Sequence, residues 1–313
     1  MSSRSVVRIG TRGSALARWQ ADHVAGLLRA ASPGLHVEIV VISTQGDRVL
    51  DKPLPLIGGK GVFTEELEAA LRDGRIDVAV HSLKDLPTEN PKGLVIGAVP
   101  PRADARDALV SHGHVPLSQL PHGAIVGTSS LRRIAQLRRL RPDLQVRDVR
   151  GNVDTRVRKT LELREYDAIL LACAGLDRLN MQSVIAERLP IIQLLPAPGQ
   201  AALGIQCRDE TDSLALLAPL NDATSELCVT AERALLASFG GGCAVPVAAH
   251  ATIDNGLMRL LGRVTAVDAS TQVDVVVEGH VASLNDARDL GATAARDARA
   301  RGAAAILPAV AKG

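Results

Sequence analysis

The sequence predicts an α/β protein of two similar lobes hinged around a cleft, followed by a small α+β domain. Three observations carry that expectation. Short Val/Ile/Leu runs alternate with stretches of helical spacing from Val6 to Leu176, the pattern of βαβ units with parallel strands. The turns between strand and helix repeat: "IGTRGS" resembles "VGTSS", and "IDVAVHSLKDL" lines up with "YDAILLACAGL". Beyond Asp222 the pattern changes to one helix, a glycine-rich turn, alternating strands and an Ala/Arg-rich terminal helix. The implied boundaries are 1–100 with 201–219 for the first lobe, 105–196 for the second and 222–313 for the third domain.

In order along the chain, "VVRIG" reads as a buried strand and "TRGS" as the loop after it. Ser14 is a natural N-cap, because its hydroxyl can accept a free amide of the first helical turn. Leu16, Trp19, Val24, Leu27 and Leu28 then recur at roughly helical spacing. "SPGL" breaks that helix, and "HVEIVVI" is the next strand. The Gly/Pro-rich stretch "GDRVLDKPLPLIGGKGVF" leads to a helix from Thr64, with Glu65 and Glu66 near its positive end. "RIDVAVHS" is a strand that ends in the loop "LKDLP".

The second lobe repeats the sequence of elements. "AIVGTSS" is strand and loop, "LRRIAQLRRL" helix, "LQVRDVR" strand, "GNVDTRVRKTLEL" loop and helix, and "YDAILLACAGL" strand. "QLLPAPGQAALGIQCRDE" reads as a hinge and a strand that returns to the first lobe. The third domain holds the helix "SELCVTAERALLASF", the turn "GGGCAVP" and the strands "LMRLLGRV" and "QVDVVVEGHV".

Composition narrows the class. Of 313 residues, 46% are hydrophobic and only 1% aromatic, so the core must be Ala, Val, Leu and Ile. Net charge is +2, from 36 basic and 34 acidic residues. A nucleic-acid binder usually carries a basic excess and stacking aromatics, and this chain has neither. No apolar run is long enough to span a bilayer. The N-terminus lacks a secretory h-region and the four cysteines show no C-x-x-C pairing, which points to the cytoplasm, without disulfides or a zinc ribbon. No coiled coil or exposed apolar stripe argues for an obligate protein partner, so a monomer is expected.

Against this neutral background, five arginines fall between Arg132 and Arg141. Arg132 and Arg133 stand in the first helical turn, where the dipole disfavours cations. Their presence makes sense if an anion shares that helix end with the donors of Ser129 and Ser130. Arg138, Arg139 and Arg141 read equally as ligand contacts or as a solvated face. Arg12, Arg150, Arg156 and Arg178 occupy further strand-to-helix positions, suited to grip carboxylates or phosphates. "GGKG" from Gly58 does not match a P-loop, so a glycine-rich cover over the cleft is preferred to a nucleotide site. Lys84 and Asp85 at a strand end read as a surface ion pair or as cleft groups. His81 reads as structural. Cys173 and Cys207 in strands, with Cys228 in a helix, read as inert core thiols. Cys243, after three glycines, reads as a small turn residue or as a thiolate that captures an electrophile.

The ordered set "RIGTRGSALARWQ", "GGKGVFTEELE", "DVAVHSLKDLP", "GTSSLRR", "RGNVDTR", "LLPAPGQAALGI" and "GGCAVP" resembles the porphobilinogen deaminase (hydroxymethylbilane synthase) family over essentially the whole chain. The resemblance implies two periplasmic-binding-protein-like lobes and a third domain. It implies one dipyrromethane cofactor per chain, joined by a thioether to Cys243. It implies a transferase that condenses four porphobilinogen molecules head to tail with loss of ammonia, then hydrolyses the product free. Asp85 would be catalytic, stabilising the azafulvene cation left when ammonia departs. Lys84, Ser130, Arg132, Arg133, Arg150 and Arg156 would bind the cofactor. Arg12, Ser14, Arg150, Arg156, Arg178, Lys60 and Phe63 would bind substrate. Each added ring brings an acetate and a propionate, which accounts for the cations. Leu56 stands where the family often has Lys. No metal is implied, and no nucleic acid, membrane or obligate protein partner.

Overall fold

The structure, a computed structural model, describes residues 6–48, 64–241 and 245–306. They fall into two compact units, Met1–Arg102 with Ala202–Glu226 and Ala103–Ala201 with Leu227–Gly313.

The first unit is built on β1 (Val6–Thr11), β2 (His36–Val41), β3 (Val78–Ser82), β4 (Leu94–Ala98) and β10 (Leu203–Arg208). These form one sheet in the order β2-β1-β3-β10-β4. β1 runs parallel to β2 and β3, while β10 is antiparallel to both of its neighbours. Helix α1 (Ala15–Ala31) covers one face, where Ala21, Val24 and Leu28 meet Val7, Ile9, Val78 and Val80. After the short α2 (Gln45–Arg48), α3 (Glu65–Arg72) covers the other face with Leu67, Ala70 and Leu71 against Ala79. A sheet buried on both faces needs continuous apolar strands, and "VAV" in β3 supplies one. α7 (Thr211–Leu217) follows β10 and adds Leu217 to the α1 side.

The second unit contains β5 (Asp107–Ser111), β6 (Ile125–Gly127), β7 (Gln145–Arg147), β8 (Ala168–Ala172) and β9 (Glu187–Arg188). Their order is β7-β6-β8-β5-β9. β6 is parallel to β7 and β8, and β5 is antiparallel to β8 and β9. Strand for strand this is the topology of the first sheet. The helices correspond as well. α4 (Leu131–Leu140) packs Leu137 against Leu109, Val126 and Leu170 on one face. α5 (Val153–Leu161) packs Val157 against Val110, Ile169 and Leu171 on the other.

The same unit holds the antiparallel sheet β11 (Val247–Asp254), β12 (Leu257–Thr265) and β13 (Gln272–His280). α8 (Ala223–Ala237), which belongs to this unit from Leu227 onward, α9 (Leu284–Ala300) and the short α10 (Ala303–Ile306) pack over it. Leu235, Phe239, Met258, Leu260, Val275 and Ala294 share one core. Gly291 lets α9 lie close to α8: a Cβ there would stand 2.7 Å from the Ala234 Cβ. Ser283 and Asp286 form a reciprocal capping box at the start of α9.

The elements depart from expectation in two respects. The strand in "YDAILLACAGL" ends at Ala172, and Cys173 opens α6 (Cys173–Arg178) instead of continuing the strand. It is buried all the same, as are Cys207 in β10 and Cys228 in α8. β4, β5, β9, β11, α6 and α7 were not anticipated; most are only two to seven residues long, too short for a period to declare itself. Among the described residues no helix is long and apolar enough to cross a membrane.

Candidate functional site

In the first unit the site begins where β1 hands over to α1. Ser14 caps the helix, its Oγ accepting the Ala17 N–H at 3.3 Å. The buried Thr11 hydroxyl donates to the Ala17 carbonyl at 2.9 Å, so the loop carrying the half-buried Arg12 is pinned at both ends. From one turn further along α1, Gln20 donates its amide to the Ser82 hydroxyl at 2.8 Å. Ser82 ends β3, and a 3₁₀ turn, Leu83–Asp85, follows at once. Leu83 and Leu86 are buried, and the Leu83 N–H donates to the Ala202 carbonyl at 3.0 Å. Between these two anchors Lys84 is half-buried and Asp85 exposed. The sequence thus yields a carboxylate on a short turn whose neighbours are fixed by packing. Behind it His81 is buried, and desolvation pushes its pKa down to about 4, the Arg12 charge adding to the fall and Gln206 opposing it.

In the second unit the corresponding turn is "GTSS". Ser130 caps α4, accepting the Arg133 N–H at 3.5 Å. Arg132 and Arg133, expected to face a ligand, are buried, with exposures of 5% and 6%. Their immediate anion belongs to the protein. Arg132 Nη1 lies 2.6 Å from Asp107 Oδ2, and Arg133 Nη2 lies 2.6 Å from Asp107 Oδ1. The Arg132 and Arg133 guanidiniums also donate to the carbonyls of Leu195 and Leu170, at 2.8 and 2.9 Å. Burial works against the Asp107 carboxylate, but the two guanidiniums outweigh it and hold its pKa well below the usual carboxylate range. Burial lowers the Arg132 pKa, with Asp107 opposing the change.

The cluster is not closed. Two guanidiniums meet one carboxylate, which leaves one net positive charge at the positive end of α4. Among the described residues the buried Arg132 Nε–H has no acceptor, and an unpartnered donor on a buried cation is costly unless something else satisfies it. Two glutamines frame the group. Gln200 donates to Asp107 Oδ1 at 2.9 Å and to the Ala105 carbonyl at 2.7 Å. Gln136 pairs with the backbone of Leu195, accepting its N–H at 2.8 Å and donating to its carbonyl at 3.0 Å.

The other arginines separate by what they hold. Arg138 and Arg139 donate to the carbonyls of Val267 and Ala269, in the turn between β12 and β13. Arg141 pairs with Asp143 and donates to the Leu117 and Leu120 carbonyls. All three thus bind the protein itself, and Arg138 and Arg139 are exposed as well. Arg150 is half-buried between β7 and α5. Arg156, in α5, donates to the Gly151 carbonyl at 2.7 Å. Arg178 is the last residue of α6, not a strand-to-helix residue, and donates to the Ala201 carbonyl at 2.6 Å. Burial pushes its pKa down to about 10. Lys60, Phe63, Cys243 and Leu56 lie outside the described residues. Asp107, Gln200 and Glu232 were missed in the sequence. Asp107 follows Arg106, Glu232 precedes Arg233 and Gln200 stands alone in an apolar run, and only their partners mark them out.

The family description "Porphobilinogen deaminase, dipyromethane cofactor binding domain" matches residues 7–215, and "Porphobilinogen deaminase, C-terminal domain" matches 226–300. The porphobilinogen deaminase of Syntrophotalea carbinolica is 48% identical over 309 residues, covering 98% of this chain and 97% of the relative. That of Syntrophomonas wolfei subsp. wolfei is 48% identical over 302 residues, covering 96% and 97%. Among solved structures, the BenM effector binding domain with its effector benzoate is 16% identical, covers 69% of this chain and 90% of its own, and has a TM-score of 0.41, too low a likeness to bear on the site. With two family matches along most of its length and 48% identity kept nearly end to end, the chain belongs to the porphobilinogen deaminase family.

Proposed function

We propose that the protein is a hydroxymethylbilane synthase of the cytoplasm, a transferase that joins four porphobilinogen molecules head to tail, releases ammonia at each addition and frees the linear product with water. The observation that carries this reading is the net positive Asp107–Arg132–Arg133 cluster, with a buried N–H unpartnered among the described residues, on a chain of only +2 net charge. Such a cluster suits a compact ligand bearing several carboxylates. In this reading the lobes are residues 1–100 with 201–219 and 105–196, and residues 222–313 are the domain that carries Cys243.

The same cluster is the test of fit for dipyrromethane, whose side chains are carboxylates. An anion placed at the head of α4 meets a helix N-terminus, the Ser130 cap and the residual charge of the arginine pair. The residues present therefore fit the group. Cys243 would hold it through sulfur, and Lys84, Ser130, Arg132, Arg133, Arg150 and Arg156 would hold its carboxylates. When bound, it supplies the primer that the substrate extends. Arg12, Ser14, Arg178, Lys60 and Phe63, with Arg150 and Arg156, would bind and orient the incoming porphobilinogen. Asp85, an acceptor on a fixed turn, accepts the pyrrole N–H and offsets the positive charge that grows as ammonia leaves. One such contact is worth roughly 3–4 kcal/mol in a site that excludes water. The same carboxylate can exchange a proton with the departing amine.

Intact-mass measurement tests the reading. The purified protein should exceed its sequence mass by two pyrrole rings, on a peptide containing Cys243. Cys243→Ala should lack the addition. Asp85→Asn should keep it and release ammonia about 100-fold to 1,000-fold more slowly. A bare polypeptide that releases no ammonia from porphobilinogen overturns the proposal.

A further inference from the structure

We propose that Glu232 and Gln200 are positioning residues for this reaction, aligning Arg132 and Arg133 with the carboxylates of the ligand by way of Asp107; the inference rests on the function proposed above. Glu232, on α8, is wholly buried. One of its oxygens accepts the Gly199 N–H and the other the Ala251 N–H, each at 2.7 Å. The carboxylate therefore ties α8 both to β11 and to the backbone just before Gln200. Gly199 has a φ of 73°, a conformation that glycine takes without strain, so the direction of its N–H is built into the chain.

Gln200 comes next and is also wholly buried. Its Nε2 donates to the Ala105 carbonyl at 2.7 Å and to Asp107 Oδ1 at 2.9 Å, and its Oε1 faces Arg132 Nη2 at 3.4 Å. The order of control runs from Glu232 to the Gly199 backbone, to the Gln200 amide, to Asp107 and then to both guanidiniums. A guanidinium grips a carboxylate best when the two are coplanar and correctly spaced, so a small shift at Gln200 is felt at the ligand.

Stability alone is a poor reason for such a network. Buried ion clusters are often no more stabilising than well-packed apolar residues of the same volume. The first lobe shows the apolar solution: where β5 begins with Asp107, β10 begins with Leu203, and where α4 has Arg132 and Arg133, α1 has Leu16 and Ala17.

The test uses Glu232→Gln in the full chain, with the covalent addition verified by intact mass. Glutamine keeps the size and one acceptor, but it turns an NH2 toward a backbone N–H. Ammonia release is measured against porphobilinogen concentration. Arg132 and Arg133 hold the attached primer in this reading, so kcat should fall about tenfold with KM within about twofold, and added sulfate, a competitor for guanidinium groups, should lower kcat further than in the unmodified protein. Asp286→Ala breaks the capping box of α9 in the same unit; it should lower Tm and leave kcat within about twofold. The proposal is overturned by an E232Q kcat within about twofold of the parent, or by a D286A protein that lowers kcat equally at equal loss of Tm. If E232Q does not accumulate, Gln200→Leu carries the same test with the same outcomes. These results are distinct from failure of the underlying reading, in which the parent protein itself carries no addition and releases no ammonia, and the inference falls with it.

Discussion

The two lobes fold the same topology around opposite kinds of interior. In the first, the helix after the capping serine begins Ala15-Leu16-Ala17; in the second it begins Leu131-Arg132-Arg133. Six residues beyond each cap stands a buried glutamine, Gln20 and Gln136. The fourth strands, β10 and β5, start with Leu203 opposite Ser82 and Asp107 opposite Ala172. Leu203, Leu16 and Ala17 thus occupy the places of Asp107, Arg132 and Arg133. The loops differ in the reverse sense. "GTRGS" is one residue longer than "GTSS", and Arg12 rides in the longer loop. One lobe carries its cation on a loop over an apolar base, and the other builds cations into the base itself. The architecture accepts either filling, so the ionic one calls for a reason other than folding.

The largest effect should come from breaking the ionic side alone. Asp107→Asn leaves two buried guanidiniums without their anion and should cost about 3–5 kcal/mol in urea unfolding. Replacing the whole set by its apolar counterpart, Asp107→Leu with Arg132→Leu and Arg133→Ala, should recover most of that stability while ammonia release disappears. A triple variant as unstable as Asp107→Asn would break the equivalence of the lobes.

Acid should then separate the lobes by pH window. His81 in the first lobe has a folded pKa of about 4 against 6.5 in the unfolded chain. The unfolded chain therefore takes up the proton first, and stability is lost as pH falls from 6.5 toward 4, by at most roughly 3 kcal/mol. Asp107 in the second lobe has a depressed folded pKa. Its contribution is complete above the unfolded carboxylate value of about 3.9 and is lost only below that. Urea unfolding at about pH 7 and about pH 5 should thus show a slope that His81→Gln removes and Asp107→Asn does not.

The glutamine pair offers a finer contrast. Gln136 makes two hydrogen bonds to Leu195 and accepts one from Arg263 at 3.0 Å, whereas Gln20 donates one to Ser82. Gln136→Leu should cost about 2 kcal/mol and Gln20→Leu about 1 kcal/mol in the same assay. The smallest effect concerns Ala201, whose φ of 71° lies in the left-handed region that a methyl group disfavours. Ala201→Gly should raise stability by about 1 kcal/mol, read as a higher Tm.

The sequence revealed these lobes through their turns. Ser14 was legible as a cap because a serine before an apolar helix has a specific task, and β3 and β8 because their runs are long and apolar; Ser130 was read only as a donor, and its capping role emerged with the structure. Asp85 stood out by its place at a strand end. The partners of the arginine pair could not be read in the same way. Asp107 is separated from Arg132 by 25 residues and from Gln200 by 93, and no local pattern announces a contact over such distances. The paradox of cations in the first turn of α4 was visible, and it pointed to an anion bound there. That the nearest anion is the protein's own carboxylate became apparent only once β5 was placed beside β8.

The exchange of fourth strands also bears on the order in which a nascent chain can mature. Among the described residues β4 pairs only with β10, so the place between β3 and β4 stays unfilled until residues 203–208 have been synthesised. All five strands of the other sheet lie between Asp107 and Arg188 and reach the ribosome exit earlier as a complete set. The lobe that starts first therefore finishes last, and a released chain truncated after residue 201 should protect its β6 and β8 amides from hydrogen exchange while those of β4 remain open.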